Sequence, residues 1–110
     1  MSDTPVLDLN AQMTALSIEQ STLDAKGTML ARLAALVAAD APPVSYLANI
    51  GAAGEAGLEM DDVQGVLIAV APIVGTARVM TAAGNIARAL GIAVAVVEEE
   101  LEAALADQGA

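Results

Sequence analysis

The stretch MLARLAALVAADAPPVSYLANI, residues 29 to 50, decides the fold because it holds two helical patterns separated by a stop signal. Apolar residues recur at helical spacing in its first part and predict one face packed in a core. The segment 40–43, Asp-Ala-Pro-Pro, ends that helix, since a residue that precedes proline avoids helical backbone. Pro43 then suits the first turn of a second helix. The predicted core face consists of Met29, Leu30, Leu33, Leu36 and Val37.

The flanking residues supply the ends of these two helices. Asp24 is suited to cap the first helix at its N-terminus. The second helix is expected to run from Pro43 to Ala56, with Gly57 in the C′ position that follows. Upstream, residues 5 to 20 carry apolar side chains at irregular spacing. We expect that segment to form a helix that docks on a neighbouring subunit or frays.

Further helices are predicted downstream. The two acidic residues that follow Met60 favour a helix start there, because carboxylates stabilise the positive end of the helix dipole. Pro72 is expected to kink or end this helix, and Thr76 to cap the next one. Gly91 is expected to break or bend that helix, which leaves a last helix from about residue 92 to residue 106.

Together these segments predict an all-α fold. Tyr46 is the one aromatic residue, and β-branched residues do not alternate over any long window, so strands have little support. We expect a single-domain bundle of five to six helices over residues 1–110. It begins with an N-terminal helical segment at 1–22 and ends with an acidic-ended helix at 92–108.

The composition favours burial of apolar surface between subunits. Hydrophobic residues make up 56% of the chain, above the roughly 45–50% of soluble domains. The longest uncharged stretch, residues 63–77, contains Pro72 and falls short of the roughly 20 apolar residues of a membrane span. No basic and apolar leader precedes the first helix. We therefore expect a cytoplasmic homo-oligomer with no membrane partner.

Charge and missing residue types exclude other functions. Fourteen acidic and four basic residues give a net charge of −10, which disfavours nucleic acid and anionic membranes as partners. The chain has no cysteine and no histidine, which rules out disulfides, redox thiols, thiolate metal sites and imidazole catalysis. We expect no cofactor and no metal, and a solvated helix face for the glutamates of residues 98–102.

Five segments resemble, in order and spacing, the carboxymuconolactone decarboxylase family, which includes the AhpD-like alkylhydroperoxidases. The resemblance covers about residues 23 to 90. It implies an all-helical fold that assembles through helix packing between subunits, commonly as a trimer or hexamer. The segments are LDAK at 23–26, LAALVAA at 33–39, AAGEAG at 52–57, MDDVQGVL at 60–67 and APIVG at 71–75.

The resemblance also places the family's catalytic positions. In its redox branch, activity rests on a Cys-x-x-Cys pair, a histidine and an upstream glutamate. The cysteine positions fall here on Pro42 and Ser45, the histidine position on Asn49, and the glutamate position near Met29 or Leu30. Serine forms no disulfide and asparagine exchanges no proton near neutral pH, so thiol peroxidase activity is excluded. The decarboxylase branch relies on the same histidine position, which is asparagine here.

A rebuilt ligand pocket is the remaining candidate site. Ser45, Tyr46 and Asn49 share one predicted helix, and a spacing of four places Ser45 and Asn49 on one face. In the alternative reading, Ser45 bonds a backbone carbonyl and Asn49 a neighbouring chain. No base adjacent in sequence activates Ser45 as a nucleophile.

Three functions fit these observations. The first is a non-redox, non-catalytic, homo-oligomeric member of this family with an assembly or small-ligand-binding role. The second is a decarboxylase-like lyase or hydrolase that acts on a small carboxylated lactone. The third is a trimeric building block, natural or engineered, of a larger closed assembly, with or without a second protein component. The apolar run at residues 92–97 favours an interface in that reading.

Overall fold

A computed structural model describes residues 3–109 of the chain, apart from the side chains of residues 97, 108 and 109. Within that part the chain is helical and contains no strand, which confirms the predicted all-α fold. The five helices are α1 (Pro5–Gln20), α2 (Ala25–Ala38), α3 (Pro43–Glu55), α4 (Met60–Val74) and α5 (Thr76–Gly109).

The ends of α2 follow from local hydrogen bonding. Asp24 is the N-cap, as predicted, and its Oδ1 accepts the N–H of Gly27 at 2.6 Å. At the other end, Asp40 adopts a left-handed backbone with φ of 55°. Its N–H donates to the carbonyl of Val37, and the next N–H along the chain donates to Leu36. These two hydrogen bonds form a Schellman motif, which normally has glycine at the position that Asp40 occupies.

The turn from α3 into α4 is fixed in the same way. Gly57 has φ of 85° and occupies the predicted C′ position, where its N–H donates to the carbonyl of Gly54. Glu59 and Asp62 then form a capping box at the start of α4. The Asp62 carboxylate accepts the Glu59 N–H at 2.9 Å and lies 3.4 Å from the ammonium of Lys26. The Glu59 N–H, together with Lys26, holds the pKa of Asp62 below its ordinary value.

Three helix boundaries differ from the prediction. α5 runs without interruption to Gly109, so the break at Gly91 and the separate last helix from about Ile92 were wrong. Glycine inside a helix costs about 1 kcal/mol relative to alanine, and the alanine-rich segments on both sides sustain the helix. α4 continues two residues past Pro72 and ends where Gly75 takes φ of 93°. Thr76 is therefore the first residue of α5 and not its cap.

The core lies where α3 packs against the first half of α5, with α2 and α4 alongside. Half of its buried residues are alanines, which let helix backbones approach closely. Tyr46 is its largest side chain and is only 4% exposed. The buried core residues are Val37, Ala41, Tyr46, Ala82, Ile86 and Ala89.

Two parts of the chain leave apolar surface uncovered. No residue of α1 is buried, and Val6 is 78% exposed. The second half of α5 extends beyond the other helices, and Val94 is 55% exposed. The radius of gyration is accordingly 16.0 Å, against about 13 Å for a compact domain of this length. The apolar side chains of residues 92–96 are therefore mostly exposed within one chain.

Replacing Asp40 with glycine should raise the free energy of unfolding by about 0.5–1 kcal/mol. The left-handed backbone strains a residue that has a Cβ atom by about 1–2 kcal/mol, and the greater freedom of glycine in the unfolded chain offsets part of that gain. Urea denaturation followed by circular dichroism measures the difference.

The adjacent substitution Ala39→Gly is the matched control. Ala39 has φ of −80°, which suits any residue, so this change should lower stability by about 0.5–1 kcal/mol. Equal destabilisation by both substitutions would contradict the assignment of strain to Asp40.

Candidate functional site

A pocket lies between α2, α3 and the start of α4. The residues of α2 that line the pocket recur every three or four positions, and so do those of α3. Each of these helices therefore contributes one face to the pocket wall. The connection between α3 and α4 forms the rim, and Leu90 of α5 also lines the pocket. The lining residues are Met29, Arg32, Leu33, Leu36, Tyr46, Asn49, Ile50, Ala53, Gly54, Leu58, Glu59, Met60, Val63 and Leu90.

The size and chemistry of this pocket suit a small organic molecule. Its volume is about 390 Å³, within the range of roughly 300–1,000 Å³ that such sites have. Most of the lining side chains are aliphatic, and four carry polar groups: Arg32, Tyr46, Asn49 and Glu59. Few polar groups in an apolar pocket fix the orientation of a ligand without dominating its binding.

Arg32 brings a positive charge into this apolar surface. Its Nη2 donates to the carbonyl of Thr14 in α1 at 3.3 Å. Its Nε is buried and has no hydrogen-bond partner within the described part of the chain. Buried polar atoms in proteins almost always have a partner. Among the described residues, the Nε of Arg32 is therefore an unsatisfied buried donor in a residue that lines the pocket.

Tyr46 also carries a buried polar atom without a hydrogen-bond partner in the described part of the chain. Its side chain is buried in the core, and its hydroxyl finds no hydrogen-bond partner among residues 3–109. Burial, and to a smaller extent the negative charge of Asp40, raises the pKa of the phenol above its ordinary value. The hydroxyl is therefore protonated at neutral pH and can donate one hydrogen bond.

The predicted site residues are divided by the fold. Tyr46 and Asn49 line the pocket, whereas Ser45 and Pro42 are not among the lining residues. The amide of Asn49 donates to the backbone carbonyl of Ser45 at 2.8 Å, within its own helix. Of the two residues near the position that the resemblance assigns to the glutamate, Met29 lines the same pocket and Leu30 is not among the lining residues.

Sequence reasoning missed Arg32. The signal was present, because Arg32 stands between Met29 and Leu33 on a face that is otherwise apolar. A charged residue inside a core stripe is rare unless it is paired. In the sequence Arg32 is one of four basic residues, and nothing there shows that its helix face borders a pocket.

The polar side chains of the pocket are suited to donating hydrogen bonds to a ligand and not to transferring protons. The guanidinium of Arg32 has only donors and no acceptor, and the phenol of Tyr46 is harder to ionise than usual. Glu59 is the one acid in the lining, and it is exposed and engaged in the capping box of α4. The pocket thus offers groups that hold a ligand, and none of its described residues forms a nucleophile and base pair.

Because Tyr46 is the single tyrosine, its ionisation can be read directly from the ultraviolet absorbance of the phenolate. We expect a midpoint above 10.0, the ordinary value. The folded-state pKa is raised, so its contribution to stability is complete below the unfolded pKa and is lost as the pH rises through the folded one. Asp40→Asn should lower the midpoint without restoring the ordinary value, since burial is the larger cause. A midpoint at or below 10.0 would contradict the buried position.

Tyr46→Phe should raise the free energy of unfolding of the ligand-free protein by about 1 kcal/mol, because it removes a buried hydroxyl that has no partner. Thr28→Val is the matched control, since the Thr28 hydroxyl is also buried but donates to the Asp24 carbonyl at 2.8 Å. That change should lower stability by about 1 kcal/mol. Urea denaturation compares the two, and a loss of stability in Tyr46→Phe would show that the hydroxyl is satisfied.

Comparisons with known proteins were made with the whole chain. No family model, no curated protein and no solved structure matches it. The observations that bear on function are therefore the pocket, the uncovered apolar surface and the five segments that resemble the carboxymuconolactone decarboxylase family.

Proposed function

We propose that this chain is a non-redox, non-catalytic homo-oligomer of the carboxymuconolactone decarboxylase type whose pocket binds a small, mainly apolar molecule. The pocket supports the binding role through its volume and aliphatic walls. Support for the family assignment is partial, because Asn49, at the histidine position, and Met29, near the glutamate position, line this pocket, whereas Pro42 and Ser45, at the cysteine positions, do not.

One observation carries the proposal of self-association, namely the apolar surface of α1 and of the second half of α5. Exposed apolar area on this scale marks interfaces. α1 has 16 residues, and the free part of α5 from residue 92 to residue 107 has the same length, so each spans about 24 Å. Two copies can therefore bury these helices against each other over their full length. We propose a trimer or hexamer on the family pattern.

The hydrolase and lyase alternative has less support. Ser45 is not among the pocket-lining residues, and the amide of Asn49 is bound to its own helix backbone. A catalytic serine requires a base within hydrogen-bond reach. The building-block alternative shares the interface with our proposal and differs only in the size of the assembly.

A lipid bilayer is the alternative environment for the exposed apolar surface of α5. By length and composition alone, the segment Thr76–Asp107 of this helix meets the requirement for crossing a membrane. The first half of that segment supplies core residues that pack against α3, including Ala82 and Ile86. Helices at the centre of soluble proteins meet the same requirement, and we propose that other copies of the chain cover the second half.

The native mass tests the assembly. At micromolar concentration, light scattering after size exclusion should give three or six times the chain mass of 10.9 kDa. Val94→Glu should shift the mass toward that of one chain, because it places a charge on the proposed interface. A monomeric native protein would refute the proposal, and a much larger particle would favour the building-block alternative.

Gln64→Glu is the control for that experiment. Gln64 is exposed on α4, so the substitution adds the same charge without removing apolar surface, and the mass should not change. Flotation of the native protein with neutral phosphatidylcholine vesicles would instead assign the second half of α5 to a membrane.

A further inference from the structure

We infer that the pocket ligand ends in a carboxylate, which the Nε of Arg32 and the hydroxyl of Tyr46 bind while an apolar body fills the rest of the pocket. This inference rests on the proposed binding role and names the class of ligand. It is carried by two residues that line the same pocket, each of which holds a buried donor atom with no partner within residues 3–109.

Arg32 requires a negative counter-charge. Among residues 3–109, no carboxylate lies within 4.0 Å of the Arg32 guanidinium. The ion pair that these residues do form joins Lys26 to Asp62. The bond from Nη2 to the neutral carbonyl of Thr14 satisfies one donor without compensating the charge. Arg32 is half-buried, and a charge that is partly withdrawn from water is less favourable when it has no partner. An anionic ligand supplies that partner.

Tyr46 adds the second donor. Its side chain is 4% exposed, so water reaches the hydroxyl poorly. An oxygen that accepts from the phenol while another accepts from Arg32 would satisfy both groups at once. A carboxylate has two such oxygens, and hydrogen bonds to ionised acceptors are about twice as strong as those between neutral groups.

The surroundings argue against other anions. The walls beside the two donors are aliphatic and include Leu33, Leu36 and Ile50. A phosphate carries more charge and more acceptors than one arginine and one hydroxyl can satisfy. The net charge of −10 also opposes multiply charged ligands at long range. One carboxylate on an apolar body agrees with both the donors and the walls.

A pair of probes separates the charge from the apolar body. Octanoate and 1-octanol share a chain and differ in the end group, and their affinities at neutral pH can be compared by isothermal titration calorimetry. We expect octanoate to bind at least about tenfold more tightly, since it gains charge-assisted hydrogen bonds. Inorganic phosphate, used as a third probe, should not bind.

Variants assign the preference to the two donors. Arg32→Gln should abolish the preference for octanoate while keeping the affinity for 1-octanol, and Tyr46→Phe should reduce the preference. Arg88→Gln is the matched control, because Arg88 is exposed and is not among the lining residues. Circular dichroism establishes that each variant is folded. Should Arg32→Gln fail to fold, Tyr46→Phe still provides the test, since it retains the shape of the ring.

The outcomes distinguish the inferred carboxylate of the ligand from the proposed binding role of the pocket. Tighter binding of octanoate that is lost in Arg32→Gln supports the inference. Equal binding of octanoate and 1-octanol overturns it and leaves the apolar pocket in place. Phosphate binding without octanoate binding also overturns it. Failure of both chain probes to bind refutes the proposed binding role itself, and with it the inference.

Discussion

The packing of α3 against the first half of α5 is the contact on which the other contacts depend. Alanines at positions 41, 82 and 89 are buried there, and they allow the helices to approach closely enough for Tyr46 to fill the centre. Tyr46 thereby belongs to the core and to the pocket at once. Because Tyr46 takes part in both, a movement of this pocket wall would disturb the packing of α3 on α5.

Retaining two unpartnered buried donors is unfavourable for a protein of this size. Each costs about 1–3 kcal/mol, while a domain has only about 5–15 kcal/mol of net stability. Phenylalanine would fill the place of Tyr46, and an aliphatic residue would continue the apolar face on which Arg32 stands. Stability alone would favour both replacements. The polar groups are thus better explained by a binding role than by folding, as is common at functional sites.

Local signals in the sequence predicted most of the fold. Asp24, Gly57 and the acidic start of α4 act through backbone groups within a few residues, so their effects can be derived from sequence neighbours. Gly91 was misjudged because propensity favours a break while the residues on both sides favour continuation. The pocket could be predicted only in part. The sequence placed Tyr46 and Asn49 on one helix as pocket candidates, but its spacing argument paired Asn49 with Ser45, which is not among the lining residues. The neighbourhood of Arg32 depends on how α2, α3 and α4 pack, and no local pattern encodes that.

Arg32 also connects the pocket to the surface that we assign to assembly. Its Nη2 donates to the Thr14 carbonyl at the middle of α1, and the residue also lines the pocket. α1 has no buried residue, so this bond is a principal link between α1 and the body of the protein. A ligand that fixes the guanidinium also restricts α1, and an assembly that fixes α1 also restricts the guanidinium. Coupling between two sites is reciprocal. On the proposed function, ligand binding and self-association would therefore be coupled through this side chain.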